Sequence, residues 1–401
     1  MVSAGADFAA SFPDLVLALI SLQGFSMPSA AKTYAVIGAT EHALALAAEL
    51  RLAGNRVIVA EQATRRAALD ALAAAPGLDV DCQVESVVGG RQRRPVKGIE
   101  VAPDVAAAVG AAQVLIFMTP QTAYEDVLAA SAGSLRNDQI ILLCPGGLGG
   151  ALLVARIAAK AGAPDLLVAQ TSAMPLGGRN AGPAALRIAS KKKFLPVGVF
   201  PASRTQELLE RLAEDFPQLT ANADVIETGF AGAAMGLHPI PMIMNAARIE
   251  ADGPYVYDGY AITPSIARVI DAVDAERQLI LKALGAPLTT FSDILKQSYG
   301  VDGDSFHEVV HAVPGYKQVK SPPDLRYRYL SEDVPTQLVP AVALARVLGV
   351  ATPMLVATVN YANAMHGCDY WRSGWNLEKL GLDGLDAAGI AALLARGFGA
   401  R

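Results

Sequence analysis

The sequence predicts an α/β domain built on a doubly wound parallel sheet, followed by an all-α domain. Three observations carry that expectation. From Thr33 to about Ala202, short β-branched runs alternate with alanine-rich amphipathic stretches, the pattern of strands joined by crossover helices. After Asn222 the composition shifts to long segments whose apolar residues recur at helical spacing. A chain of 401 residues also exceeds what one hydrophobic core ordinarily serves. The expected division is an N-terminal extension over 1–30, a first domain over 31–222 and a helical substrate domain over 223–401.

The first strand is "TYAVIGA", followed by a helix through Leu50; "RVIVAE" and a helix through Leu72 come next. "VLIFMTP", "IILLCPGG" and "LLVAQTS" continue the series as apolar runs closed by turn formers, which suits strands buried on both faces. "ALRIAS" and "KKKFLPVGVFPA" read as a hairpin that finishes the domain, with Lys191, Lys192 and Lys193 in a solvated turn. In the helical part, "SIARVIDAVDAERQLILKALG" sets Ile266, Val269, Ile270 and Val273 at helical spacing, leaving Asp271, Asp274, Glu276 and Arg277 for the wet face. "VPAVALARVLGVATPMLVATVNYANAMHG" is a helix pair broken at Gly349 and Pro353.

Hydrophobic residues make up 52% and charged residues 18%, the balance of a well-buried enzyme, not of a disordered chain. A net charge of −5 supplies no basic footprint, so no nucleic-acid partner is expected. Cys82, Cys144 and Cys368 are widely spaced and form no CxxC pair, so neither a metal site nor a disulfide framework is read, and a cytoplasmic location is expected. The apolar run Leu15 to Leu22 falls short of the roughly 20 residues of a membrane span. With Asp7 and Asp14 in place of a basic flank no secretory signal is expected either, and residues before Met27 read as a dispensable extension or a misplaced start.

The turn "VIGATEHALA" lies where dinucleotide-binding folds of the Rossmann type hold a pyrophosphate, on the amides between first strand and first helix. Gly38 takes the first fingerprint position, while Thr40 and Ala43 stand where glycines are usual. Glu61, closing "RVIVAE", is placed to accept hydrogen bonds from the adenosine ribose and favours NAD over NADP; Arg65 and Arg66 argue the other way. The expected cofactor site comprises Gly38, Ala39, Thr40 and Glu61, with Thr119, Pro120, Pro145 and Gly146 at the ends of later strands.

The stretch "MGLHPIPMIMNAARIE" poses a choice, because a histidine in an apolar run serves either packing or chemistry. Pro239 and Pro241 suit a first helical turn that would hold His238 rigidly, and Asn245 returns to the same face. Downstream, "DLRYRYLSEDVPTQLVP" offers Arg328 and Asp333, readable either as a surface charge and a helix cap or as functional groups. His42 and His366 have weaker cases than His238; His307 and His311 have helical i, i+4 spacing that could bind a metal but lack an accompanying carboxylate motif, and they read as surface or substrate-rim residues.

"HPIPMIMNAARIE", "ITPSIARVIDAVDAERQLILKALG" and "YLSEDVPTQLVPAVALARVLGVATP", in this order behind a Rossmann domain, closely resemble the octopine/nopaline (opine) dehydrogenase family over about residues 33–385. The resemblance implies a helical substrate domain like the C-terminal domain of 6-phosphogluconate dehydrogenase. It also implies NAD(P)H-dependent reductive condensation of an amino acid with a 2-oxo acid. It gives His238 and Asp333 joint catalytic roles and makes Arg328 the holder of a substrate carboxylate; Asn245, from its spacing to His238, is expected with Arg328 among the substrate-binding residues. The sequence departs from the family at Thr40, and at Ala234-Met235 where an Asn-Pro is usual.

The residue types suit that chemistry. Hydride addition to a carbonyl or imine calls for a proton that a histidine can deliver near neutral pH, a carboxylate orients the ring, and an arginine fork grips a carboxylate. The same three residues would also serve reduction of a 2-oxo acid to a 2-hydroxy acid, and the departures fit a catalytically silent nucleotide-binding protein. The expected partners are small molecules, with no nucleic acid, no membrane and no metal; the assembly entertained is a homodimer.

Overall fold

The computed structural model describes residues 31–85, 91–163, 165–252, 255 and 261–398. The expected N-terminal extension lies outside them. Twelve strands are present among the described residues: β1 (Thr33–Ile37), β2 (Arg56–Ala60), β3 (Leu78–Cys82), β4 (Gln92–Val96), β5 (Ile99–Val101), β6 (Val114–Phe117), β7 (Ile140–Leu143), β8 (Leu167–Thr171), β9 (Leu176–Gly182), β10 (Ala185–Lys191), β11 (Leu195–Phe200) and β12 (Leu219–Ala221). Eight of them form one sheet in the order β12-β11-β8-β7-β6-β1-β2-β5. Its pairs are parallel except β8 with β11. Strands β6, β7 and β8 are buried throughout, which is why their sequences are continuously apolar, not alternating.

The expected hairpin is not formed. Strand β10 pairs with β9 and β3 in a separate four-stranded sheet ordered β4-β3-β10-β9, whereas β11 belongs to the large sheet. Residues 192–194 therefore link two sheets instead of turning one ribbon. The small sheet alternates buried and wet positions along β3, and its outer face carries the ion pairs Arg93–Asp79 and Arg187–Asp81. Its strand β9 lies against the start of the helix Glu41–Leu52. A Cβ on Gly178 would sit 2.1 Å from the Glu41 carbonyl oxygen, so glycine is required there.

Beyond β12 the chain is helical. The longest helix, Pro264–Leu284, begins with Thr263 Oγ1 accepting from the Ile266 amide and ends at Gly285 in the left-handed region, φ 70°. The wet face expected on this helix is corrected at three of its four positions. Asp271 is exposed, but Asp274, Glu276 and Arg277 are buried. Arg277 donates to Asp274 Oδ1 and to the Phe230 and Thr289 carbonyls, while Asp274 Oδ2 accepts the Phe291 amide at 2.7 Å. Glu276 accepts the Met354 and Leu355 amides at 2.7 and 2.9 Å, capping the helix Pro353–His366 from a neighbouring helix.

One hydrophobic core fills the sheet face opposite the small sheet and runs unbroken into the helices, joining Ile37 and Phe117 to Leu330 and Val342; the second lies under the small sheet. The helices therefore hold their side chains firmly over the carboxyl edge of the large sheet.

Candidate active site

The strand order places β1 centrally, with β2 on one side and β6 on the other, so the turns after β1 and β6 flank the point where chain direction across the sheet reverses. Ligands of open α/β sheets bind outside the strand ends at such a point. Gly38 follows β1 with φ 150°, and a Cβ there would meet the Met118 carbonyl oxygen at 2.8 Å. Thr40 accepts the Ala43 amide with its hydroxyl, which explains a threonine in a turn that usually carries glycine: it caps the helix Glu41–Leu52. The first-turn amides of that helix have no intrahelical acceptor and stand at the sheet edge.

Glu61, at the end of β2, is 3% exposed. Its carboxylate accepts the Gln62 amide at 2.8 Å and the Thr119 hydroxyl at 3.2 Å, and pairs with Arg65 at 3.5 Å. Together with Arg66, Pro103 and Asp104 it lines a recess of about 400 Å³. Pro145 follows β7 through a cis peptide bond, and the Gly146 amide donates to Thr171. A glycine turn, helix-end amides and an acidic strand end fit a dinucleotide: amides for its pyrophosphate, a carboxylate for its ribose.

His238 sits at the break between the short helices Ala234–Leu237 and Pro239–Met244. Its own amide closes the first, and Pro239, lacking an amide hydrogen, starts the second without loss. The ring thus projects at a kink, with 24% of the side chain exposed. Nδ1 donates to Asp333 Oδ2 at 2.6 Å. Asp333 is 1% exposed, and its other oxygen accepts Gln337 Nε2 at 2.7 Å. Tyr329 stacks on the imidazole, 3.8 Å between ring centroids and 8° from parallel. Hydrogen bonds and stacking together fix both the tautomer and the ring plane.

Asp333 does not cap the helix it precedes, because its carboxylate is taken by the histidine and the glutamine. The following Val334–Leu338 segment is a π-helical turn that runs straight into the helix Val339–Val347. It is pinned to the sheet edge. Gln121, just beyond Thr119-Pro120, donates its amide to Glu332 at 3.2 Å and accepts from Thr336 at 2.7 Å, and the Leu148 amide bonds to the Thr336 carbonyl at 3.0 Å.

Arg328 lies on the same cleft, its side chain 38% exposed, and Nε donates to Glu332 at 3.2 Å. Burial works to lower its pKa, but Glu332 and Asp333 outweigh it, leaving the guanidinium more basic than usual. His42, in the first turn of the helix after β1, is shifted down by burial, with Glu41 opposing and the charges of Arg179 and Arg328 adding to the shift. Arg328 therefore bears on both the dyad and the helix start.

Asn245 is not brought to the cluster. Its Nδ2 donates to the Pro241 and Ala261 carbonyls at 2.9 and 3.0 Å, which makes it a clamp on local backbone, and it does not line the cleft. His307 and His311 lie with ring centroids 4.3 Å apart, and His311 contacts the Ile262 carbonyl. Among the described residues no group of three or more His, Cys, Asp or Glu side chains could hold a metal ion. Gln121, Tyr329 and Gln337 had not been singled out from sequence. Gln337 had a legible signal, standing one helical turn after Asp333, but Gln121 is joined to Thr336 across 215 positions.

The dyad, Gln121, Pro145 and Arg328 share a cleft of about 840 Å³ between the sheet edge and the helices. An imidazole held by a buried carboxylate in a cleft at the carboxyl edge of a Rossmann-type sheet, against a helical part, is the arrangement of a nicotinamide-dependent dehydrogenase; Gly38, Ala39, Thr40 and Glu61 do not line that cleft. The helical-domain model of the NAD/NADP octopine/nopaline dehydrogenases matches residues 221–366. The opine dehydrogenase of Arthrobacter sp. (strain 1C) is 32% identical over 366 residues, 90% of this chain and 98% of its own. Octopine dehydrogenase in complex with NADH and agmatine has a TM-score of 0.74 at 16% identity, covering 90% of this chain and 98% of that one. NADP+-bound yersinopine dehydrogenase has a TM-score of 0.68 at 16% identity, covering 92% and 99%. The structural likenesses speak for the fold; the Arthrobacter relative speaks for the family. The chain belongs to the opine dehydrogenase family. It is an NAD(P)-dependent oxidoreductase acting on CH–NH groups.

Proposed function

We propose that His238 is the proton donor and acceptor in the reductive condensation of an amino acid with a 2-oxo acid, oriented by Asp333, and that Arg328 holds a substrate carboxylate. The observation that carries this reading is the 2.6 Å bond from His238 Nδ1 to a buried carboxylate, on a cleft that opens at the carboxyl edge of the sheet. When bound, a dinucleotide would supply the hydride; Gly38, Ala39 and Thr40 would hold its pyrophosphate, Glu61 with the Thr119 hydroxyl bonded to it would hold its adenosine ribose, and Pro120, Pro145 and Gly146 would line the way to its nicotinamide.

With Nδ1 committed to Asp333, proton transfer runs through Nε2. His238 takes a proton from the incoming amine as it adds to the carbonyl and passes it to the carbonyl oxygen, and a second nitrogen-to-oxygen transfer through the same atom releases water and leaves the imine. Asp333 stabilises the imidazolium between these steps, and Gln337 keeps the carboxylate turned toward the ring. Arg328, carrying its charge beside the dyad, aligns the oxo acid through a two-pronged contact. We place the boundary between the nucleotide and substrate parts near Asn222, and assign a cytoplasmic homodimer; cell fractionation and analytical ultracentrifugation check these two assignments.

The test measures NADH and NADPH oxidation with pyruvate or 2-oxoglutarate against the common amino acids, with product analysis. A secondary amine dicarboxylate is expected; a 2-hydroxy acid as sole product would replace this reading with simple oxo-acid reduction. Losing a general acid/base costs roughly 10²- to 10⁴-fold in rate. His238→Ala should lose turnover on that scale while retaining nucleotide affinity, and wild-type turnover in the folded variant would return His238 to a packing role.

A further inference from the structure

The cleft continues past the dyad to a wall made by the connector between the two sheets, Lys191 to Phe194, facing Tyr299 and Tyr316 of the helical part. Lys191 is spent internally: its ammonium bonds Glu49 at 2.9 Å, with both side chains largely buried. That contact anchors the connector. The next two lysines differ. Lys192 Nζ stands 5.2 Å from the centroid of the Tyr299 ring, a contact that holds the ammonium at the cleft without neutralising it. Lys193 is exposed, and among the described residues neither it nor Lys192 has a carboxylate within ion-pair distance.

Arg277 is paired with Asp274 and Asp333 with His238; Arg328, which the proposed function gives to the first substrate carboxylate, touches Glu332 through Nε, and Glu227 accepts the Ala223 amide. Lys192 and Lys193 thus line this part of the cleft outside ion-pair distance of any described carboxylate, Lys192 against the Tyr299 ring, whose hydroxyl is 3.5 Å from that of Tyr316. Phe194, 58% exposed, adds an apolar face next to them. Cations, hydroxyls and an adjoining apolar face match a carboxylate carried on a short methylene chain.

We infer that this end of the cleft binds a second carboxylate, so that one of the two condensing substrates is dicarboxylic: a dicarboxylic 2-oxo acid or an acidic amino acid. The inference deepens the opine-type reading and rests on it. Ammonium–carboxylate contacts that are partly desolvated give this preference, and a guanidinium-bearing amino acid would meet like charge here.

The experiment measures kcat/KM by nucleotide oxidation in two arms. One arm compares 2-oxoglutarate with pyruvate at fixed amino acid; the other compares glutamate with norvaline and arginine at fixed pyruvate. The expected result is a preference for the dicarboxylic member in one arm, which identifies its source. In the double variant Lys192→Ala/Lys193→Ala, the ratio of dicarboxylic to monocarboxylic efficiency should fall about 10- to 100-fold, the scale of losing charge-assisted hydrogen bonds. Lys193→Glu should push the ratio lower still. Preference for monocarboxylic substrates in both arms, or an unchanged ratio in the double variant, overturns the inference while leaving the opine-type reaction standing. No turnover with any pairing, in a protein that binds nucleotide, overturns the opine-type reaction itself.

Discussion

At the scale of single residues, Arg328 carries the sharpest choice, because its charge bears both on the dyad and on His42 at the first turn of the helix Glu41–Leu52. Replacement by lysine keeps the charge but loses the planar fork. Each charge-assisted hydrogen bond contributes about 1.5 to 3 kcal/mol, so Arg328→Lys should lower kcat/KM for the oxo acid by roughly 10- to 100-fold, and Arg328→Ala further. If the nucleotide dissociation constant rises instead while oxo-acid efficiency per bound nucleotide holds, the guanidinium serves the pyrophosphate and not the substrate. Sequence offered His238, Asp333 and Arg328 as candidates through family resemblance; spacing alone left each an ordinary alternative. What sequence could not supply was the support around them. Tyr329 and Gln337 act through ring planes and side-chain direction, which no one-dimensional pattern encodes, and Asn245 misled because returning to a helical face says nothing of which carbonyls lie above it.

Among the elements, the parallel strands were legible because burial on both faces forces an apolar run, and the helix pair broken at Gly349 and Pro353 was legible from its breakers. The small sheet was legible only at "ALRIAS", a strand given the wrong partner; its other strands alternate or are rich in arginine, and the short apolar–acidic alternation in "LDVDC" was a further sign. The helix Pro264–Leu284 departs from its sequence pattern for a different reason: charge suggests a wet position, although a charged residue can be buried when its partner and nearby carbonyls satisfy it. Asp271 and Asp274, one turn apart on that helix, now make a controlled comparison. Removing one partner of a buried pair costs about 3–5 kcal/mol, so Asp274→Ala should shift the urea midpoint down accordingly, leaving Arg277 charged and unpaired. Asp271→Ala, on the exposed face, should change stability by no more than about 0.5 kcal/mol. Equal midpoints for the two variants would mean that the buried pair does not hold the helix in place.

Across the whole molecule, the nucleotide edge and the helices share one continuous core and are bolted together through Gln121, Leu148 and the 332–336 segment, so unfolding of either should carry the other with it. Nucleotide binding at the sheet edge should then raise a single melting transition. At free nucleotide near 100 times Kd the linkage amounts to about 2.7 kcal/mol. On the proposed placement the size of that shift should depend on Glu61, since a carboxylate at the end of β2 would accept from ribose hydroxyls and repel a 2′-phosphate, and it also holds Arg65 at 3.5 Å. Glu61→Ser removes the repulsion and releases Arg65 to meet a phosphate. The Tm increase given by NADH should therefore shrink relative to that given by NADPH at equal concentration, in scans of the two proteins side by side. Should the two increases keep their wild-type ratio, the adenosine ribose lies away from Glu61, and the 400 Å³ recess beside it serves some other group.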